Sequence, residues 1–147
     1  MTSDAPRTPR AVLPWAGREV TRVEFDWAVG LLLDDGSFLR VEAPLELTGP
    51  SGTAVVVPGE VPTLAPALAL FGRTVRAAVV HDRTLEIDFD GDLVLRVVQG
   101  TEYEAWNATG PGPARDPAHW MVVSTGSGRL AVWGADPEGG RFPSDQL

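Results

Sequence analysis

The sequence predicts a mainly β fold: antiparallel sheets built from two similar β units, one short helix between them, and a C-terminal hairpin. Three observations predict it. The first is an internal repeat. One copy reads Gly17-Arg18-Glu19-Val20, then Val29-Gly30-Leu31-Leu32-Leu33, an Asp34-Asp35-Gly36-Ser37 turn, and Leu39-Arg40-Val41. The other reads Gly72-Arg73-Thr74-Val75, then Leu85-Glu86-Ile87-Asp88-Phe89, an Asp90-Gly91-Asp92 turn, and Leu95-Arg96-Val97. The arms and turn recur at an offset of 56 and the Gly-Arg-x-Val pair at 55, so one residue slips in between. The second is period-2 alternation around turn residues, the mark of strands with one face buried. The third is the pair Trp120 to Ser124 and Arg129 to Trp133, joined by Thr125-Gly126-Ser127-Gly128 as a hairpin.

Residues 1–12 carry Pro6, Pro9, Arg7 and Arg10 without apolar periodicity and read as a flexible arm. Residues 13–134 read as a single β-rich domain, with the duplication at about 17–42 and 72–98. Val23, Phe25 and Trp27 alternate with Glu24 and Asp26 as a half-buried strand, and a bend near Ala28–Gly30 leads into the next. The Asp34–Ser37 turn returns the chain as Phe38 to Glu42, which Pro44 ends because proline cannot donate to a ladder. The middle is irregular: a Gly49–Gly52 loop, then a short strand over Thr53–Val57. Thr63 reads as the N-cap of a helix over Leu64–Phe71, with Pro66 tolerated in its first turn and Gly72 just past its end. The second unit follows as Thr74–Val80, Thr84–Phe89 and Leu93–Gln99. Glu102–Ala108 reads as a further strand before a Pro/Gly loop and the final hairpin. Residues 135–147 read as a flexible tail.

Composition narrows the function classes. With 147 residues and 44% hydrophobic side chains, the chain can bury a sizeable core. It has no apolar run long enough to span a membrane, and its start lacks the apolar centre of a signal peptide, so the expected location is the cytoplasm. With 0 Cys, thiolate metal sites, disulfides and cysteine nucleophiles are excluded. All 12 basic residues are Arg, a bias that suggests a GC-rich, actinobacterial genome. The net charge of −8 argues against nucleic acid and is compatible with a basic protein partner.

Several short motifs resemble those of an uncharacterised family of small actinobacterial β-rich proteins. They are Gly17-Arg18-x-Val20, Leu33-x-Asp35-Gly36, Gly72-Arg73-x-Val75, Phe89-x-x-Gly91, Tyr103-Glu104-Ala105-Trp106, Gly110-Pro111 and Leu130-Ala131-Val132-Trp133. The resemblance covers about residues 13–134 and implies this fold, with a Tyr-Glu-Ala-Trp strand and a C-terminal hairpin. It implies no activity and no catalytic residues. The hairpin glycines depart from the family pattern, reading Gly126-Ser127-Gly128-Arg129.

The search for chemistry in the residues themselves is mostly negative. Asp88-x-Asp90-Gly91-Asp92 starts like a calcium loop, but the places needing Gly and Glu hold Leu93 and Gln99. His81 and His119 lack zinc spacing, and no metal or cofactor is expected. Ser127 does not have the spacing of a nucleophile elbow. Gly110-Pro111-Gly112-Pro113 lacks the N–H donors of a phosphate cradle. No enzyme is therefore expected. The partner-binding candidates are the strand carboxylates Glu86, Asp88, Glu102 and Glu104, which would form one acidic face if their strands are neighbours, together with Trp106. The plainer alternative buries Trp106 and pairs Glu104 with an Arg such as Arg96. The functional expectation is a non-enzymatic cytoplasmic interaction module, of the immunity or regulatory kind, binding a basic protein. The alternative is a small-ligand binder using a cleft between the repeated units, lined by Trp and Arg.

Overall fold

A computed structural model describes residues 10–81, 84–98, 104–111, 118–124 and 130–134. The strands are β1 (Arg10–Val12), β2 (Val20–Phe25), β3 (Val29–Leu33), β4 (Phe38–Val41), β5 (Leu45–Gly49) and β6 (Gly52–Val56). After a 3-10 linker come β7 (Val75–His81), β8 (Thr84–Phe89), β9 (Leu93–Val98), β10 (Trp106–Thr109), β11 (Trp120–Ser124) and β12 (Leu130–Gly134). They form two antiparallel six-stranded sheets, ordered β1-β7-β8-β9-β5-β6 and β12-β11-β10-β4-β3-β2. The mainly β expectation, with its two similar units and terminal hairpin, holds.

The repeat is a structural one. Strands β2-β3-β4 form one meander and β7-β8-β9 another, one in each sheet. Each unit then sends its next strand across: β5 pairs with β9, and β10 pairs with β4. A bulge recurs at Val20/Arg22 and at Val75/Ala77. The slip from offset 55 to 56 lies at the hairpin tips. Phe25 pairs with Val29 and Val80 with Leu85, leaving three residues in the first tip and four in the second. The units meet where Glu19 bridges Thr74. Around that bridge the bonds come in matched pairs: Gly17 N–H to Val75 O and Gly72 N–H to Val20 O, Val20 N–H to Arg73 O and Val75 N–H to Arg18 O. The two units are thus related by an approximate dyad.

The inward faces of both sheets share one apolar cluster. Leu31, Leu33, Leu39, Ile87, Phe89 and Leu95 all lie in it, as the matched alternation requires. Trp15, Trp106 and Trp120 are its largest side chains, and Trp15 and Trp120 meet at 5.8 Å between ring centroids.

Four expectations need correction. The arm ends before residue 12, because Arg10–Val12 pairs with β7 and Ala11 is buried there. Leu45–Gly49 is strand β5, its Leu45 and Leu47 inward and its Glu46 and Thr48 outward. The helix over 64–71 is two 3-10 segments, Val61–Thr63 and Ala65–Leu70, without side-chain caps. Thr63 bonds back to Val57 instead of capping forward, and Pro66 would interrupt any α-helix that ran on from Val61. Lastly, Trp27 is 82% exposed rather than half-buried, because it lies beyond β2 at the hairpin tip. The expected tail and the Thr125–Gly128 connection lie outside the described residues.

Candidate cleft between the repeated units

The acidic candidates do not converge. Glu86 and Asp88 lie on β8 in one sheet, while Glu104 precedes β10 in the other. Glu102 lies outside the described residues. Glu86 is also engaged: Arg96 on β9 reaches it at 3.4 Å and Glu46 on β5 at 4.0 Å. Register makes this a cross-strand row, Glu86 opposite Arg96 opposite Glu46. Arg96 therefore pairs with these two carboxylates and not with Glu104. Trp106 is 1% exposed and belongs to the core, so it cannot meet a partner in the folded state. Its indole N–H has no hydrogen-bond partner among the described residues.

The structure instead presents a cleft of about 380 Å³ where the first unit, the linker and the second unit meet. The β5–β6 hairpin forms one wall through Leu47, Gly49, Gly52 and Ala54. The Ala65–Leu70 segment supplies Pro66 and Ala69, and the second unit supplies Arg73, Gly91 and Leu93. The 3-10 geometry explains the linker's part. At three residues per turn Ala67 and Leu70 turn into the core, which leaves Pro66 and Ala69 on a neighbouring row facing the cleft. The pairing of Gly49 with Gly52 leaves the tip of this wall without side chains at those two positions.

Arg73 is the charged group of the cleft. Its Nε–H donates to Ala69 O at 3.0 Å, and its guanidinium lies against Gly91, where a Cβ would collide with it. The dyad shows what is missing around it. The equivalent Arg18 faces two carboxylates, Asp34 at 3.8 Å and Asp35 at 3.5 Å. The residue matching Asp34 is Asp90, whose Oδ1 accepts from Thr74 N–H at 3.0 Å. The residue matching Asp35 is Gly91, which has no side chain to offer. Among the described residues Arg73 has no ion pair, so its charge is left for an anion. Ser51 and Thr53 also line the cleft, but no His, Asp or Glu does. A hydroxyl there has no adjacent base to activate it.

A second hollow, of about 280 Å³, lies at the β2–β3 tip between Phe25, Asp26, Trp27, Gly59, Val61 and Leu64. The Asp26 carboxyl is held below its ordinary value, mainly by the Ala28 N–H at 2.7 Å and further by Arg40. No group of three metal-binding side chains converges among the described residues.

Fold and cleft together define an all-β protein of two exchanged units with a cationic cleft at their junction. The chain belongs to a family of unknown function, DUF6188, whose model matches residues 11–134. No curated protein and no solved structure matches it.

Proposed function

We propose that the protein is a non-enzymatic binding module that holds an anionic ligand in the cleft between its repeated units. The observation that carries this reading is Arg73, a guanidinium at an apolar-walled cleft with no carboxylate partner among the described residues, where its dyad mate Arg18 has two. A guanidinium free of a carboxylate has its remaining N–H donors available to an anionic group of a ligand. The cleft's apolar walls would strengthen that pairing by lowering the local dielectric. The rival reading, a basic protein held on an acidic face, draws on the net charge of −8. Its proposed contributors are split between the two sheets and partly neutralised by Arg96, so it has less geometric support.

Melting curves against a panel of small organic acids test the proposal. A ligand present at a hundred times its Kd stabilises by about 2.7 kcal/mol. At least one acid should raise the melting temperature of the wild type and leave Arg73→Met unmoved, since Met keeps the apolar stem and removes the charge. Equal responses of both proteins to every acid would reject the cleft as an anion site.

A further inference from the structure

We infer that the ligand of this cleft is an aromatic acid: a planar ring filling the place that Trp120 fills in the other unit, with its carboxylate on Arg73. The inference rests on the anion-binding reading above and adds the ring. Its basis is the dyad, which extends past the strands recognised from sequence. Thr48-Gly49-Pro50 at the end of β5 matches Thr109-Gly110-Pro111 at the end of β10, at an offset of 61. Thr48 pairs with Thr53 and Gly49 with Gly52; Thr109 pairs with Met121, and Gly110 N–H donates to Trp120 O at 2.8 Å. Gly52 therefore stands where the second unit has Trp120.

In the second unit the corner is filled. The Trp120 ring lies directly on Gly110, where a Cβ would collide with it, and stacks at a tilt of 37° on Trp15. In the first unit the two-residue turn Pro50-Ser51 holds Gly52 at φ +128°, a conformation closed to most side chains, so no ring can grow from it. Leu70 takes the place of Trp15, and Leu93 takes that of Ser37. Leu93 comes to 3.5 Å of where a Gly49 Cβ would be and fills part of the gap; the cleft is the remainder. Its walls include a glycine pair, Leu47, Leu93 and Pro66, apolar surfaces suited to a ring face, beside the hydroxyl residues Ser51 and Thr53. Two of the differences between the units meet in this corner: a ring is missing at position 52 and a carboxylate at position 91. A ring carrying a carboxylate restores both.

Titration calorimetry on the full chain tests this with indole-3-acetate, acetate, and a short peptide ending in Trp with a free carboxylate. Indole-3-acetate should bind the wild type and weaken by about tenfold or more in Arg73→Met, the loss expected for a charge-assisted contact. Ala69→Trp, at an exposed cleft-lining position, should block it and also serves if Arg73→Met does not fold. Acetate should bind at least about tenfold more weakly than indole-3-acetate. If acetate binds as well as indole-3-acetate, the ring is wrong and the anion site stands. If indole-3-acetate binds and neither variant weakens it, or if neither acid binds, the inference and the reading beneath it both fall. Tighter binding of the peptide than of the free acid would identify a chain terminus as the source of the ring, and weaker binding a small metabolite.

Discussion

Replacing Trp120 with Ala should turn the filled corner of the second unit into a copy of the open one. Trp120 is 1% exposed, lies on Gly110 and meets Trp15 at 5.8 Å. Truncating a buried aromatic to Ala costs about 3–5 kcal/mol, a range that already contains whatever ring pair is lost. Collapse of the corner is limited. Strands β10 and β11 are paired on either side of it, and Gly110 has no side chain to move in. A loss of about 4 kcal/mol follows, near the middle of that range. It is a large share of the 5–15 kcal/mol typical of a domain, but leaves most such domains folded. For a chain of this length it corresponds to a fall of roughly 10–15 °C in melting temperature. Urea unfolding should show a lower midpoint with an unchanged slope. Free indole should then stabilise Trp120→Ala more than the wild type, because the variant adds a second open corner and apolar cavities accept apolar guests. A loss under about 1 kcal/mol would mean that Trp120 does not fill this corner.

Phe89→Ala should cost about 3–5 kcal/mol in urea unfolding, since Phe89 is fully buried opposite Val75 and Leu93; a cost near zero would contradict the matched hairpins. The two equivalent glycines should respond unequally to alanine. Gly110→Ala forces a Cβ onto the Trp120 ring and should cost about 1–3 kcal/mol, whereas Gly49→Ala meets only Leu93 at 3.5 Å and should stay within about 1 kcal/mol of wild type. Equal costs would show that the two corners are packed alike. The Asp26 carboxyl should titrate below 3.8 by NMR, because the Ala28 N–H and Arg40 favour its charged form. A folded value below the unfolded one means that its contribution is complete above the unfolded value and is lost as pH falls through the folded one. Asp26→Asn should remove that acid-side dependence, and a titration at or above 3.8 would refute the assignment.

The parts of the fold that were legible in the sequence are those decided locally. Leu31, Leu33, Ile87 and Phe89 alternate around Asp-Gly turns, and both alternation and turn chemistry act over a few residues. Strand β5 carried the same signal, Leu45 and Leu47 alternating with Glu46 and Thr48, but it was hidden between Pro44 and Gly49. The Thr-Gly-Pro recurrence was hidden differently. Its offset of 61 breaks from the 56 of the preceding strands, so a comparison at fixed period stops at Val97. The carboxylates misled for a related reason. Glu86 and Glu104 are close in the chain, yet the exchange of β5 and β10 between units sends them to different sheets. Alternation assigns a side chain to a face and says nothing of which sheet the face belongs to. A cleft between the repeated units lined by Trp and Arg is the alternative expectation from the sequence; the cleft found there has Arg73 but no Trp in its lining, and its place in the fold was not legible. The cleft is made by what Gly52 and Gly91 lack relative to Trp120 and Asp35; the second pair aligns at the offset of 56, but the first is comparable only once the register is known.

The exchange of strands also explains why a cleft persists at one corner and not the other. Each sheet contains a three-stranded meander from one unit and a hairpin begun by the other: β9 carries β5 and β6, and β4 carries β10 and β11. Both corners therefore need something to close them where a hairpin of one unit meets the turn of the other. The chain before β2 closes the second corner with Trp15, which packs on Trp120. The linker before β7 is its equivalent and supplies Leu70 instead, on a 3-10 segment that packs against β2 and β6. Equivalent units can share a backbone plan while one corner becomes core and the other stays open, because a filled corner already contributes the large aromatic burial that such a fold requires. Three buried Trp and Phe89 anchor the packing elsewhere, so the Gly52 corner is under less demand to be filled. At this corner glycines and an arginine without an ion pair among the described residues stand where the other corner has a large side chain and a carboxylate. Departure from the packing rule with charge and space displaced together is where a binding site is to be sought first, and the titrations of the Gly52 corner test it.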